Sequence, residues 1–312
     1  HHIDRLLPLV DQALKETNLS PEEIDLIAVA NGPGLMGSLL MGVTAAEALA
    51  YAWEKPIVGV NHVEAHLYAP MMGEEQHFAF PALGVVISGG HTFLAKISAF
   101  GDYEIIGTTV DDAIGETFDK VASMLDLPYP GGPHIEQLAK EGDPTYFPFK
   151  PGVVKKRPLD FSFSGLKTNV LYKIKGNNGL RTTPTLISAE EKKHIAASFQ
   201  DTALNDIISK AIKASQTFPC HGIFMGGGVT NNIRIRTLFA KKELPIPIFW
   251  PPKDLSLDNA AMIAGLGFHM YEKRSSEKIQ VFPRMQKIQK TLPKQRAEAI
   301  ERSLEAEKVN LS

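Results

Sequence analysis

The stretch FPALGVVISGGHTFLAKI, residues 80–97, decides the fold. An apolar run through Val85, Val86 and Ile87 is followed by a Gly89-Gly90 turn flanked by Ser88 and Thr92, and then by a second run, Phe93 to Ile97. Strand, glycine turn, strand is a hairpin whose exposed backbone N–H groups and hydroxyl can face an anion. A plain hairpin turn is the competing reading of the same residues.

Upstream, NGPGLMGSLLMGVTAAEALAYAWEKPIVGVNH (31–62) reads as βαβ grammar: a strand over Asp25 to Ala30, a glycine-rich turn from Gly32 to Gly37, a helix from Ser38 to Trp53 and a strand from Pro56 to Val60. Small residues Gly42, Ala45, Ala46 and Ala50 predict close packing of that helix. Before it, Ile3, Leu6, Leu7 and Val10 fall at helical spacing, and Ser20-Pro21-Glu22-Glu23 caps a short turn. In GVNHVEAHLYAPMM (59–72), His62 and His66 stand four residues apart, so a helix would stack both imidazoles on one face and offer two nitrogens to one metal ion. By itself HxxxH is more often a pair of surface or core histidines.

Downstream of the hairpin, residues 108–139 predict a helix carrying Asp112, Glu116, Asp119 and Lys120, a Gly131-Gly132 turn and another helix. Acidic residues so spaced are by default a solvated face; beside two glycine turns they become candidates for ribose and metal-water contacts. After FSFSGLKTNV (161–170) and a polar stretch from Gly176 to Ser188, a long helix runs from Ala189 to Thr217. HGIFMGGGVTNNIRIRTLFA (221–240) repeats strand, glycine loop and helix, with Asn231 or Asn232 available at the helix start. Asp258 then stands at the N-terminus of a last helix, where a capping role would explain it without further function.

Composition bounds the class. A chain of 312 residues predicts two lobes, each able to bury a core. The net charge of −2 means that a nucleic-acid partner must be met by a local basic patch. Lys155, Lys156 and Arg157 form one such group, and a tail from Lys273 to Arg296, with Arg274, Lys278, Arg284, Lys287, Lys290 and Lys294, forms another whose default reading is a solvated tail. Cys220 stands alone, and no apolar run has the length of a membrane span, so a reducing, cytoplasmic setting without membrane contact is expected, ahead of a mitochondrial one.

The ordered set NGPGL, HVEAH, SGGHT, DDAIGETFDK, YPGGP, FSFSGLKT, GGGVTNN and DNAAMIA closely resembles the tRNA N6-adenosine threonylcarbamoyltransferase family (TsaD in bacteria, Kae or Qri elsewhere), over about residues 1 to 270. HVEAHLYAP is more similar to the bacterial branch. The resemblance implies an α/β protein of the actin-like ATPase (ASKHA, ribonuclease H-like) two-lobe fold. The first lobe would comprise 1–81 with about 259–272, the second 82–258, and a charged tail 273–312.

It also implies His62, His66 and Asp258 as ligands of one divalent metal, iron(II) ahead of zinc. Val86, Ile87, Ser88, Gly89, Gly90, Asp119, Gly132, Glu136 and Asn232 would bind the donor, threonylcarbamoyl-AMP. The implied reaction is acyl transfer to N6 of adenosine 37 in tRNAs reading ANN codons. No Ser-His or Cys-His pair suggests a covalent nucleophile. Implied partners are tRNA, a TsaB-type inactive paralogue and a TsaE-type ATPase in a bacterial setting, or a homodimer in a mitochondrial one.

Family members also begin with a strand and a loop of the type IESSCDET. Here that segment, on the order of 60 residues or about half a domain, does not precede His1: either the sequence is a piece of a longer protein, or the protein is truncated, in which case the first lobe is expected to lack its N-terminal strands and the chain alone to be inactive or poorly soluble. Two other classes compete. An inactive, partner-dependent paralogue acting as a binding subunit is opposed by the intact HVEAH and DNAAMIA. A metallopeptidase is opposed by the position of Glu64, two residues after His62 and on another helix face from the metal pair.

Overall fold

The computed structural model describes residues 2–72, 78–176, 187–271 and 279–284. Of the cations named in the C-terminal tail, Arg284 lies among them; the others, and residues 177–186 of the polar stretch, lie outside the described residues. The chain divides into two compact units, one made of 1–64, 97–104 and 266–312, the other of 65–96 and 105–265.

In the first unit, helix α1 (His2–Thr17) leads through a single 3-10 turn at Pro21–Glu23 into strand β1 (Ile27–Gly32), helix α2 (Met36–Ala52) and strand β2 (Ile57–Asn61). β1 and β2 pair in parallel, Ile27 opposite Ile57 and Val29 opposite Gly59, as a βαβ crossover requires. The expected strand at 25–30 begins two residues later because the turn stabilised by Ser20 and Glu23 carries the chain to Ile24. Leu39, Val43, Ala46 and Ala50 of α2 are buried. The second half of helix α9 (Ala260–Met270) also belongs here: a Cβ on Gly267 would meet Ala28, Val58 and Val60 of the sheet.

The second unit is built on a five-stranded sheet of order β5-β4-β3-β6-β7, from strands β3 (Ala82–Ile87), β4 (Thr92–Ala99), β5 (Asp102–Thr108), β6 (Ile223–Gly226) and β7 (Ile248–Phe249). The short links between β3, β4 and β5 allow only antiparallel neighbours, whereas β6 returns parallel to β3 after a long helical crossover, and β7 parallel to β6. The tip of the β4–β5 hairpin, 97–104, counts with the first unit. Every residue of β3 is buried, which fits an apolar run covered on both faces.

Helices α4 (Ile114–Met124), α5 (Gly131–Ala139), α6 (Ser164–Lys175), α7 (Ala189–Thr217) and α8 (Ile233–Ala240) supply the rest of the core. α7 matches the predicted span and starts on a capping box, in which Ser188 and Glu191 bond each other's backbone N–H. Its Ile195, Phe199, Leu204 and Ile207 are buried, and Phe199 meets Phe118 of α4 edge-on at 5.0 Å between ring centres.

Candidate functional site

β2 ends at Asn61, whose side-chain oxygen accepts the backbone N–H of Val63 (2.9 Å) and Glu64 (3.2 Å). That cap starts helix α3 (His62–Tyr68) at His62 and sets His62 and His66 one turn apart on it. Glu64 points elsewhere: its Oε1 accepts the Gly101 N–H at 2.7 Å, and burial pushes its pKa up to about 7. A carboxylate so engaged is not placed as a base beside the histidines.

Within the second unit, His66 is buried and its Nε2 lies 3.0 Å from Asp258 Oδ1. The Asp258 side chain is 76% exposed, so this pair has one sheltered partner and one that faces open space. Asp258 is not the cap of α9. Asn259 is: its Oδ1 accepts Met262 N–H at 2.9 Å, and its amide donates to the carbonyls of Leu255 and Leu257. The capping explanation for Asp258 therefore falls away, leaving its carboxylate with His66. His66 and Asp258 thus form, within this unit, a histidine–carboxylate pair able to share a metal ion, and His62 lies one turn back on α3.

The donor set fits such an ion. Two ligand atoms each about 2.0–2.1 Å from a first-row metal stand roughly 3 Å apart, the separation seen between His66 and Asp258. Neutral imidazoles with one carboxylate suit iron(II) or zinc, and fewer than four protein ligands leave positions for substrate.

Beside this pair the chain forms a glycine-lined corner. β3 and β6 are in parallel register with Val86 opposite Gly226, so both end at the same sheet edge, where α/β proteins bind ligands. Gly227, at φ +91° and ψ 158°, brings the loop after β6 against the carbonyl of Ile87. Gly115 lets α4 approach the turn, donating its N–H to the Ser88 carbonyl at 3.2 Å. A Cβ on Gly226 would run into the His66 carbonyl, and one on Gly228 would meet Leu257 at 2.8 Å. These close approaches bring His66, the Ser88–Gly90 turn and the Asp258 segment together within one unit. At Gly89 and Gly90 a Cβ would meet nothing within 4 Å, so the turn faces open space.

The other predicted residues divide by partner. Val86 and Ile87 are fully buried and offer only backbone; Ser88 Oγ accepts the His91 N–H at 3.0 Å. Asp119 Oδ1 accepts the Gly131 N–H at 2.6 Å, pinning the start of α5, while Gly132 next to it borders open space. Glu136 Oε1 accepts the Ile233 N–H at 2.7 Å, and Asn232 caps the same helix α8 while donating to Gln200 at 2.9 Å. Glu136 also lines a cavity of about 240 Å³ with Gln200, Asp201 and Arg234.

Asp111, Gly115 and Gln200 went unnoticed in the sequence. Asp111 gathers the hydroxyls of Ser162 (2.6 Å) and Ser164 (2.7 Å) and the N–H of Phe163 (2.8 Å), fixing the FSFSG segment. Its neighbour Asp112 takes Lys120 and Lys167.

A parallel-edged α/β sheet with glycine loops at its carboxyl end has the actin-like ATPase-type fold. Two solved structures share the fold: HypF of T.kodakarensis (TM-score 0.59, 15% identity, 81% of this chain and 42% of that one) and a full-length HypF in the phosphate- and nucleotide-bound form (0.57, 14%, 84% and 48%). The chain thus spans less than half the length of those proteins, and the likeness concerns the fold alone.

The family profile described as TsaD, tRNA N6-adenosine threonylcarbamoyltransferase, matches residues 1–265. The chain belongs to this transferase family. A relative bearing that name in Protochlamydia amoebophila is 57% identical over 271 residues, 87% of this chain and 79% of the relative. One in Chlamydia felis is 48% identical over 276 residues, 88% and 79%. Among the described residues no helix is long and apolar enough to cross a membrane.

Proposed function

We propose that this chain transfers the threonylcarbamoyl group from threonylcarbamoyl-AMP to N6 of adenosine 37 in tRNAs reading ANN codons. The observation that carries the reading is the meeting, in one unit, of an open glycine turn at Ser88–Gly90 with the His66–Asp258 pair. An acyl-adenylate has an anionic phosphate and a polar carbonyl about one bond apart, and these two features answer those two groups.

The N–H groups of Gly89 and Gly90, backed by the buried strand of Val86 and Ile87, receive the phosphate or acyl oxygens. Asp119, Gly132, Glu136 and Asn232 hold the ribose and adenine side, with Asp119 and Glu136 also ordering the starts of α5 and α8. His62, His66 and Asp258 hold a divalent metal, iron(II) ahead of zinc. When bound, that ion supplies Lewis acidity toward the acyl or phosphate oxygens. N6 attacks the carbamoyl carbon directly; the new C–N bond forms, the C–O bond to phosphate breaks, AMP leaves with the electron pair, and N6 gives up a proton. No covalent enzyme intermediate is needed, and the residues act by placing the two reactants.

In this reading a TsaB-type paralogue and a TsaE-type ATPase are the partners, as the family resemblance implies for a bacterial chain. The test is a transfer assay with unmodified tRNA and threonylcarbamoyl-AMP labelled in its threonine, run with and without those partners. Label in tRNA from the wild type, lost in His62→Ala and Asp258→Ala variants that melt normally, is expected. Full transfer by His62→Ala would remove the metal role, and no transfer under any of these conditions would remove the function.

A further inference from the structure

The end of α6 carries a feature the transfer reaction does not use. An open cavity of about 480 Å³ is lined by Phe147, Phe149, Lys150, Asn169, Tyr172 and Lys173, with Pro148, and no carboxylate is among them. Its volume falls within the roughly 300–1000 Å³ of small-ligand pockets. Lys173 is held over the Phe147 ring, its Nζ 4.7 Å from the ring centre, so this cation is ordered before any ligand arrives. Glu191 feels the field of Lys173, but its carboxylate accepts from the Ser188 N–H and hydroxyl at 3.0 and 3.1 Å instead. Tyr172 is 44% exposed at the rim.

Two cations, an amide and an exposed aromatic ring, with no carboxylate among the lining residues, make the combination that tracks a sugar-phosphate backbone and stacks a base. The cations continue beyond the cavity. Lys155, Lys156 and Arg157 are exposed on the loop that returns to Ser162, before α6 begins at Ser164. Arg157 pairs with Asp160, which keeps it near that turn.

We infer that the Lys150–Tyr172–Lys173 cavity is an RNA subsite, in which the two lysines take backbone phosphates and Tyr172 stacks an unpaired base of the tRNA. The inference rests on the transfer reading for its choice of RNA, and it adds a binding surface distinct from the glycine corner. An acidic polypeptide is the other polymer that such charge could attract, but it would leave Tyr172 without a stacking partner.

Fluorescence anisotropy of the 312-residue chain with unmodified tRNA, over a series of salt concentrations, tests it. Lys150→Glu with Lys173→Glu is expected to weaken binding at least about 10-fold and to flatten the slope of log K against log salt by roughly 1.4–1.8, two phosphates' worth. Tyr172→Ala is expected to weaken it about 5-fold or more with the slope unchanged. Lys150→Arg with Lys173→Arg, which keeps both charges and guards against misfolding, should bind like wild type. Wild-type affinity and slope in the double glutamate variant would overturn the subsite while leaving the transfer reading intact. Tighter binding of poly-glutamate than of tRNA would overturn RNA as its occupant. Failure of the wild type to bind tRNA at all would remove both.

Discussion

Replacing Gly227 by alanine tests whether the corner at the ends of β3 and β6 is built as described. At φ +91° and ψ 158°, Gly227 occupies a region essentially reserved for glycine, and forcing a side chain there costs about 1–3 kcal/mol. The added methyl would also lie 2.5 Å from the Ile87 carbonyl oxygen and 3.0 Å from Ser88 Cβ. Both neighbours are fixed by the buried sheet, so they cannot swing aside as a flexible side-chain tip would; overpacking of this kind adds about 1–3 kcal/mol. The expected loss is therefore about 2–6 kcal/mol, read as a lower urea midpoint at unchanged m-value. Thermally it corresponds to roughly 2–4 °C per kcal/mol for a domain of 150–250 residues. Gly89→Ala is the control: its methyl meets nothing within 4 Å, so stability should stay within about 0.5 kcal/mol. The same change should weaken adenylate binding, because it fills the space the donor would enter. A Gly227→Ala variant as stable as wild type would refute the geometry, and a Gly89→Ala variant with undiminished donor affinity would refute the occupancy.

Asn259→Ala removes the cap of α9 and should lower stability by about 0.5–2 kcal/mol with metal retention unchanged, whereas Asp258→Ala leaves that cap in place yet should abolish metal retention on dialysis; denaturant melts and metal analysis of both separate the roles. Asp119→Ala loses a charge-assisted bond to Gly131 and should cost about 1.5–3 kcal/mol in the same melts. For Asp111, burial pushes the carboxyl up, but bonds from Ser162, Ser164 and the Phe163 and Ser164 N–H groups outweigh it and hold the pKa below the ordinary value. The folded state then binds fewer protons than the unfolded one, so this contribution is present above the ordinary carboxylate pKa and lost as pH falls through the lowered one. Asp111→Asn should therefore be less stable than wild type at neutral pH and converge with it in acid, as melts from pH 7 down to about 2 would show.

What the sequence made legible follows from which interactions are local. The Ser188–Glu191 capping box and the unbroken α7 are encoded within a few residues, and the hydroxyl-flanked Gly89-Gly90 turn announces its own hairpin. β5 was not anticipated, because Asp102–Thr108 alternates weakly and owes its place in the sheet to pairing with β4. A capping role competes for Asp258 in the sequence because the rule for helix starts accepts either Asp or Asn; only the three-dimensional path shows that Asn259 takes the helix N–H groups. Asp111 and Gln200 serve partners 51 and 32 residues away, Ser162 and Asn232, and no spacing rule reaches that far.

The same long-range closure explains why the glycines of this chain differ in meaning although they look alike in sequence. In Gly131-Gly132, the first is crowded by Ala122 and Asp119 and is needed for α5 to pack on α4, while the second borders open space. In the 226–228 run, Gly226 is pressed against the His66 backbone and Gly227 against Ile87, so both serve assembly, whereas Gly89 and Gly90 leave room. A ligand can use only the second kind. The glycines that crowd the backbone hold His66 and the Ser88 turn in place; those that do not leave the space into which an adenylate would fit. A substitution series across both kinds should therefore split into variants that lose stability and variants that lose binding, with little overlap between them.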